Sequence, residues 1–471
     1  AQPRSRGLGD VYKRQTLLLQ LLLLPNAYAH GFGSKIDLPI PAYLYWLGGG
    51  AAVLASFAII SLFVNRKSHD NSYWKYDLRN ISLINSIYEN KSILNVFKIF
   101  SIGLFILTIL TGVLGSQFPV SNFAPTFVWV IWWGGFIWLH ILFGDSWNFV
   151  NPWKNLYELI KFDEKPLRQY PEKFKSWPAF LFFLIFAWVE LVYPNPADPQ
   201  FLGNLIFLYS LVVLLGMRVF GKDKWLENCE PFTVFFNFIS NFSLTRVTDG
   251  GKILLRPIGT GLLDVRFRFD QLCFLILILS VVSFDGLIST LFWYDVIGIE
   301  AFGGSGRYDV LYVNTVGIIV SFLVFMLVFY SCIGILKIIT QTKSSINELA
   351  KILIPSLLPI SIVYHLAHYS AYFFLNGQLI IKLISDPFGF GWDIFGTSSY
   401  EIVRTIDFLL LWNYQVVVIV IGHIISIYIA HRLATRIFKD NKRVIISQFP
   451  MLLLMVGYTV LGLWLLSSPS I

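Results

Sequence analysis

Leu349-Ala350-Lys351-Ile352-Leu353-Ile354-Pro355-Ser356-Leu357-Leu358-Pro359-Ile360-Ser361-Ile362-Val363-Tyr364-His365-Leu366-Ala367-His368-Tyr369-Ser370-Ala371-Tyr372-Phe373-Phe374 is the stretch that decides the fold. It is apolar for more than the ~20 residues a helix needs to cross a bilayer. Two imidazoles sit three residues apart inside it, so they share one helix face, which Ser361 and Tyr372 extend. Titratable rings are costly in hydrocarbon and usually face a bundle interior or a wet cavity. The run therefore predicts a buried membrane helix with a polar site. Pro355 and Pro359 each remove a backbone donor and predict a kink in its first half.

The rest of the chain agrees. Its 471 residues are 56% hydrophobic and 14% charged, with a mean hydropathy of +0.65; a soluble domain is about one quarter charged. The expectation is an all-α, polytopic transmembrane helix bundle, with the lipid bilayer as its partner. About ten spans are legible, near 42–64, 93–115, 124–143, 177–194, 201–219, 272–293, 311–339, 352–374, 408–430 and 449–467. Basic residues gather in alternate loops: Arg66, Lys67, Lys75 and Arg79 after the first, Lys154 to Lys175 after the third, Lys222 to Arg268 after the fifth, and Arg432 to Arg443 after the ninth. Positive loops face the cytoplasm, which puts both termini in the periplasm of an inner-membrane protein. The net charge of +8 reads as this asymmetry and not as nucleic-acid binding.

Residues 1–15 read as a non-native extension. A basic pair, the apolar run Thr16–Leu24 and Ala27-Tyr28-Ala29 then form a cleavable signal peptide, 16–29. Residues 30–471 make one transmembrane domain. Cleavage after Ala29 makes His30 the mature N-terminus, where an amine and imidazole can chelate copper as in histidine-brace proteins. The cytoplasmic segment 222–270 reads as an interfacial amphipathic helix plus a basic surface segment. The segment 376–407 reads as an ordered periplasmic cap. Cys229, Cys273 and Cys332 lack metal or disulfide spacing and read as packing residues.

The polar residues within spans are His140, Glu190, Asp285, Tyr364, His365, His368 and His423. Counting inward from Trp412 as an interface anchor puts His423 about 16 Å deep, level with His365. Three converging imidazoles suit zinc or copper, with an open fourth position; two on opposed helices suit haem b. The same histidines, with Asp285, Glu190, Tyr364 and His140, also suit a proton relay or polar site, or interhelical hydrogen bonding. A lone buried Asp285 calls for a partner, naturally a histidine. Glu190, beside Tyr193-Pro194-Asn195-Pro196, reads as facing outer water. His140 reads as structural, and His69 and His431 as solvated. No nucleotide-binding or hydrolase fingerprint occurs in a suitable context.

Ala29-His30-Gly31-Phe32-Gly33, Asp37-Leu38-Pro39-Ile40-Pro41, Tyr364-His365-Leu366-Ala367-His368, Ser385-Asp386-Pro387-Phe388-Gly389-Phe390-Gly391-Trp392-Asp393, Gly422-His423 and Ser447-Gln448-Phe449-Pro450-Met451 together carry a family resemblance. The chain resembles a bacterial polytopic membrane family often labelled fenitrothion hydrolase. The label implies hydrolysis of organophosphate esters, with no catalytic motif to carry over residue by residue. Three functional readings follow: handling of a transition metal, copper first, by transport or as cofactor; proton-coupled transport of a small molecule or ion without metal; and metal-assisted membrane hydrolysis. The sequence leads with the first, and leaves substrate and oligomeric state open.

Overall fold

The computed structural model describes residues 41–63, 73–161, 165–248, 250–300, 306–403 and 407–468. The extension, signal peptide, His30 and His69 lie outside the described residues. Among those described, nine helices are long and apolar enough to cross a bilayer. They are α1 (Ala42–Phe63), α2 (Lys91–Leu114), α3 (Phe123–Phe143), α5 (Pro199–Phe220), α7 (Phe269–Ile288), α8 (Leu311–Thr340), α9 (Ile346–Asn376), α10 (Phe408–Ile437) and α11 (Asn441–Ser467). Two shorter helices, α4 (Trp177–Leu191) and α6 (Pro231–Phe242), complete the bundle. The chain is a multi-pass helical membrane protein.

The outer helices show why. On α8, Val316, Ile319, Val320, Leu323, Val324 and Leu327 are all exposed. An apolar stripe this long is stable against lipid and not against water. The enclosed helices are α7 and α9. Small residues set the closest crossings. A Cβ on Gly112 of α2 would lie 2.7 Å from the Pro199 carbonyl oxygen and 2.9 Å from the Gly203 Cα of α5. One on Gly422 of α10 would meet Val363 of α9 at 2.4 Å.

The fourth expected span is shorter than a span. α4 has 15 residues, about 22 Å of rise against a hydrocarbon core of about 30 Å. The segment after α5 corrects a second expectation. Its phenylalanine-rich stretch does not lie in the membrane interface: α6 is buried along nearly its whole length. Phe235 stacks on Phe183 of α4, and Phe232 meets Phe186 of α4 and Trp132 of α3 edge-on. Twelve residues, about 18 Å, cannot cross a bilayer, so α6 enters the bundle without crossing it.

Both ends of α6 are tied down. Glu230, fully buried, caps its N-terminus by accepting from the Phe232 and Thr233 amides, and also accepts the Tyr209 hydroxyl. Arg256 donates through Nη2 to the carbonyls of Ser240 and Asn241 at the C-terminus. A small antiparallel sheet of β1 (Tyr76–Asp77), β2 (Thr245–Val247) and β3 (Ile253–Leu255), in the order β1-β3-β2, then pins the following loop to the segment after α1.

Candidate functional site

α9 is broken where its prolines predict. A 3₁₀ turn, Ile354–Leu357, separates Ile346–Leu353 from Leu358–Asn376. After the break, Tyr364, His365, His368, Tyr369 and Tyr372 form one stripe at i, i+1, i+4, i+5 and i+8. The stripe faces the C-terminal ends of two helices distant in sequence. Asp285 comes from the last turn of α7 and Glu190 from the last turn of α4.

The Tyr369 hydroxyl joins them. It lies 2.6 Å from Glu190 Oε1 and 3.0 Å from Asp285 Oδ2. His368 Nε2 lies 2.9 Å from the same Asp285 oxygen. This histidine is the partner that a buried Asp285 calls for. The side chains of His368 and Asp285 are 7% and 3% exposed, and Glu190 is 4% exposed. Glu190 therefore does not face outer water as its turn-rich surroundings predict. Arg307 donates to the carbonyls of Glu190 and Tyr193. It closes the end of α4, satisfying carbonyls that have no partner within the helix.

Hydrogen counting fixes what this geometry means. A phenol has one proton to donate. Tyr369 touches two carboxyl oxygens, so both contacts are hydrogen bonds only if one carboxyl group is itself protonated and donates to the phenol oxygen. Two ionised carboxylates would leave one oxygen–oxygen contact repulsive, in surroundings where an unmade bond is costly. With one such proton, on Glu190 or on Asp285, Tyr369 accepts from the protonated carboxyl group and donates to the other. His368 Nε2 meets the same Asp285 oxygen, its tautomer assigned from its partner.

Trp133 of α3 walls the site. It lies in a π-helical segment, Thr126–Gly135, a local widening often found at functional sites. Its carbonyl accepts from His365 Nε2 at 3.0 Å, and its indole meets the His365 ring edge-on, 5.0 Å between centroids. Gly135 lets Phe373 approach, since a Cβ there would lie 2.3 Å from that ring. Tyr364 stacks on His368 with centroids 5.8 Å apart. The Tyr364 hydroxyl sits over Gly286, 2.5 Å from where a Cβ would stand. Two buried oxygens here, Glu190 Oε2 and Tyr364 Oη, make no hydrogen bond of good geometry, and the Trp133 indole N–H acts on Glu190 and Tyr369 without reaching such geometry.

The three-imidazole centre is not formed. Among the described residues no group of three or more His, Cys, Asp or Glu is placed to hold a metal ion. His423 turns its Nδ1 to the Ile419 carbonyl of its own helix, at 2.8 Å. The depth count also began from a wrong anchor, because Trp412 is 1% exposed and packs edge-on against Tyr45 instead of marking an interface. His140 is 1% exposed and ties α3 to α6. Its Nδ1 meets Ser146 Oγ at 2.8 Å, and its Nε2 meets the Phe236 carbonyl at 2.8 Å and Ser240 Oγ at 2.9 Å. His431 is not solvated; it is 5% exposed and its Nδ1 lies 3.1 Å from Gln448 Oε1.

Sequence reasoning missed Tyr369, Trp133 and Arg307 as site residues. Tyr369 had a visible signal, since it stands at i+4 from His365 on the stripe. Trp133 meets His365 through its backbone carbonyl as well as its ring, and no sequence pattern marks that carbonyl. The chain matches no protein-family model, no curated protein and no solved structure.

Proposed function

We propose that this is a proton-coupled transporter of the cytoplasmic membrane, with Glu190, Tyr369, Asp285 and His368 as its proton-exchange site. The observation that carries the reading is one phenol bridging two buried carboxyl groups, one of them paired with a histidine. Such a chain moves a proton without moving a heavy atom far. The Glu190 O–H breaks as its proton passes to the phenol oxygen, and the phenol proton passes to Asp285. His368 lies in contact with Asp285 as the next acceptor once its Nε2 is unprotonated. Intramembrane carboxyl and histidine chains are the usual material of proton relays. The break in α9 and the short helices α4 and α6 also support the reading, because discontinuous helices are common where transporters bind their solutes.

A transition-metal reading needs three donors on one centre, and the described histidines point to separate partners. The test of the proton site needs no substrate. Infrared titration of the purified protein should show a protonated carboxyl C=O band in an apolar environment. Glu190→Gln should remove it and Asp285→Asn should shift it. Absence of the band in the native protein, or its persistence unchanged in both variants, would overturn the reading.

A further inference from the structure

The groups that face Glu190 fix which solute can take its proton's place. From α7 comes Asp285; from α9 come Tyr364, His365, His368, Tyr369 and Tyr372; from α3 comes Trp133. From the segment before α8 comes Arg307, and from the short helix Leu291–Ile297 comes Tyr294, beside Arg307. The ionisable groups acting on Glu190 through charge are Asp285 and Arg307. With Glu190 protonated, the charges of Asp285 and Arg307 oppose one another. Loss of the Glu190 proton leaves one uncompensated negative charge in a region of low dielectric, which is very costly.

We propose that the coupled solute is a monovalent cation, an alkali ion or a protonated amine, which replaces the proton at Glu190. This rests on the proton-exchange reading of the same site. An anion or a neutral solute taking the proton's place would leave the negative charge unbalanced. One positive charge restores neutrality, so one cation exchanges for one proton. The donors are of the right kind. Glu190 Oε2 and the Tyr364 hydroxyl are buried oxygens with hydrogen-bonding capacity to spare, and hard cations and ammonium groups take oxygen ligands. In the exchange, the Glu190 O–H bond breaks, the proton leaves to water, and the cation pairs with the carboxylate.

The purified protein in weakly buffered detergent tests this. Sodium, potassium, methylammonium and tetramethylammonium chlorides are added separately while a dye reports pH. The expected result is saturable release of about one proton per protein. The cation's apparent affinity should fall about tenfold per unit drop in pH below the carboxyl group's own titration, as competition for one site requires. Release by sodium or potassium alone identifies an alkali-ion site, and release by the ammonium salts alone identifies an amine site. Glu190→Gln, which keeps a hydrogen-bonding group toward Tyr369, should abolish release, and Glu190→Asp should retain it with altered affinity. If the infrared carboxyl band is present and no cation releases a proton, the cation proposal fails and the proton site stands. If the band is absent, both fail.

Discussion

Tyr369→Phe isolates the bridge at the centre of the site. The ring is retained, so its contact with His365, 4.4 Å between centroids, survives and no cavity forms. Only the hydroxyl is lost. Glu190 Oε1 then loses its hydrogen bond, and Glu190 Oε2 makes none of good geometry to begin with. Asp285 keeps His368. A hydrogen bond to a charged group contributes about 1.5–3 kcal/mol, and an orphaned buried polar group costs about 1–3 kcal/mol. With Asp285 partly compensated, the expected loss is about 2–4 kcal/mol, read as unfolding free energy in mixed micelles. A double-mutant cycle with Glu190→Gln should return a coupling of at least about 1 kcal/mol, because both substitutions act on one contact. The same variant should shift the carboxyl C=O band to the frequency of an unbonded acid and slow proton exchange about 100-fold, for about 2.7 kcal/mol of barrier. A cost below about 0.5 kcal/mol, typical of a surface change, with an unmoved band, would refute the shared-proton geometry.

Gly112→Ala should lower stability by about 1–3 kcal/mol through overpacking, because its Cβ would press on the backbone of α5; an unchanged unfolding midpoint would mean that α2 and α5 are not in close contact. Glu158 bonds to Lys98 at 2.7 Å and Lys222 at 2.9 Å. Burial pushes its carboxyl group up, yet the two ammonium groups outweigh burial and hold it below the usual carboxylate range. Its contribution is thus present above the unfolded value and lost as pH falls through the folded one. Wild type should lose about 1 kcal/mol below about pH 4, and Glu158→Gln should not. Cysteines at Lys252 and Ser399 should react oppositely with an impermeant periplasmic thiol reagent: 399 labelled and 252 protected, with the reverse pattern inverting the topology. Copper and zinc content should be the same in wild type and His423→Ala; stoichiometric metal lost in that variant would restore the three-imidazole centre.

Much of the fold is legible because lipid imposes one simple demand. A run of about 20 apolar residues has few alternatives to a spanning helix, and nine such runs appear as helices, with ends that lie up to eight residues from where hydropathy puts them. α6 is harder for a physical reason. Phe232, Phe235, Phe236 and Phe238 would suit a membrane interface as well as a protein interior. What decides is the partner surface of α3 and α4, which sequence spacing does not reveal. Glu190 misleads in a related way. Its Pro- and Asn-rich neighbours predict a wet turn, but Arg307, 117 residues further on, closes that end of α4.

The site shows why equal depth in a membrane is not proximity. Depth follows from rise per residue, and His365 and His423 can be level while their rings point in unrelated directions. Azimuth is set by packing. On α10, Gly422 is the residue that admits Val363 of α9, so its neighbour His423 is turned away from the His365–Tyr369 stripe and bonds within its own helix. On α9, the stripe that seemed to offer two metal ligands offers two different partnerships: His365 with a backbone carbonyl, and His368 with a carboxylate. The residue between those roles is Tyr369, whose partners lie 179 and 84 positions away in sequence. A metal centre would have needed its histidines to share one centre. A proton chain needs each group to touch only the next, and that is the order in which Glu190, Tyr369, Asp285 and His368 stand.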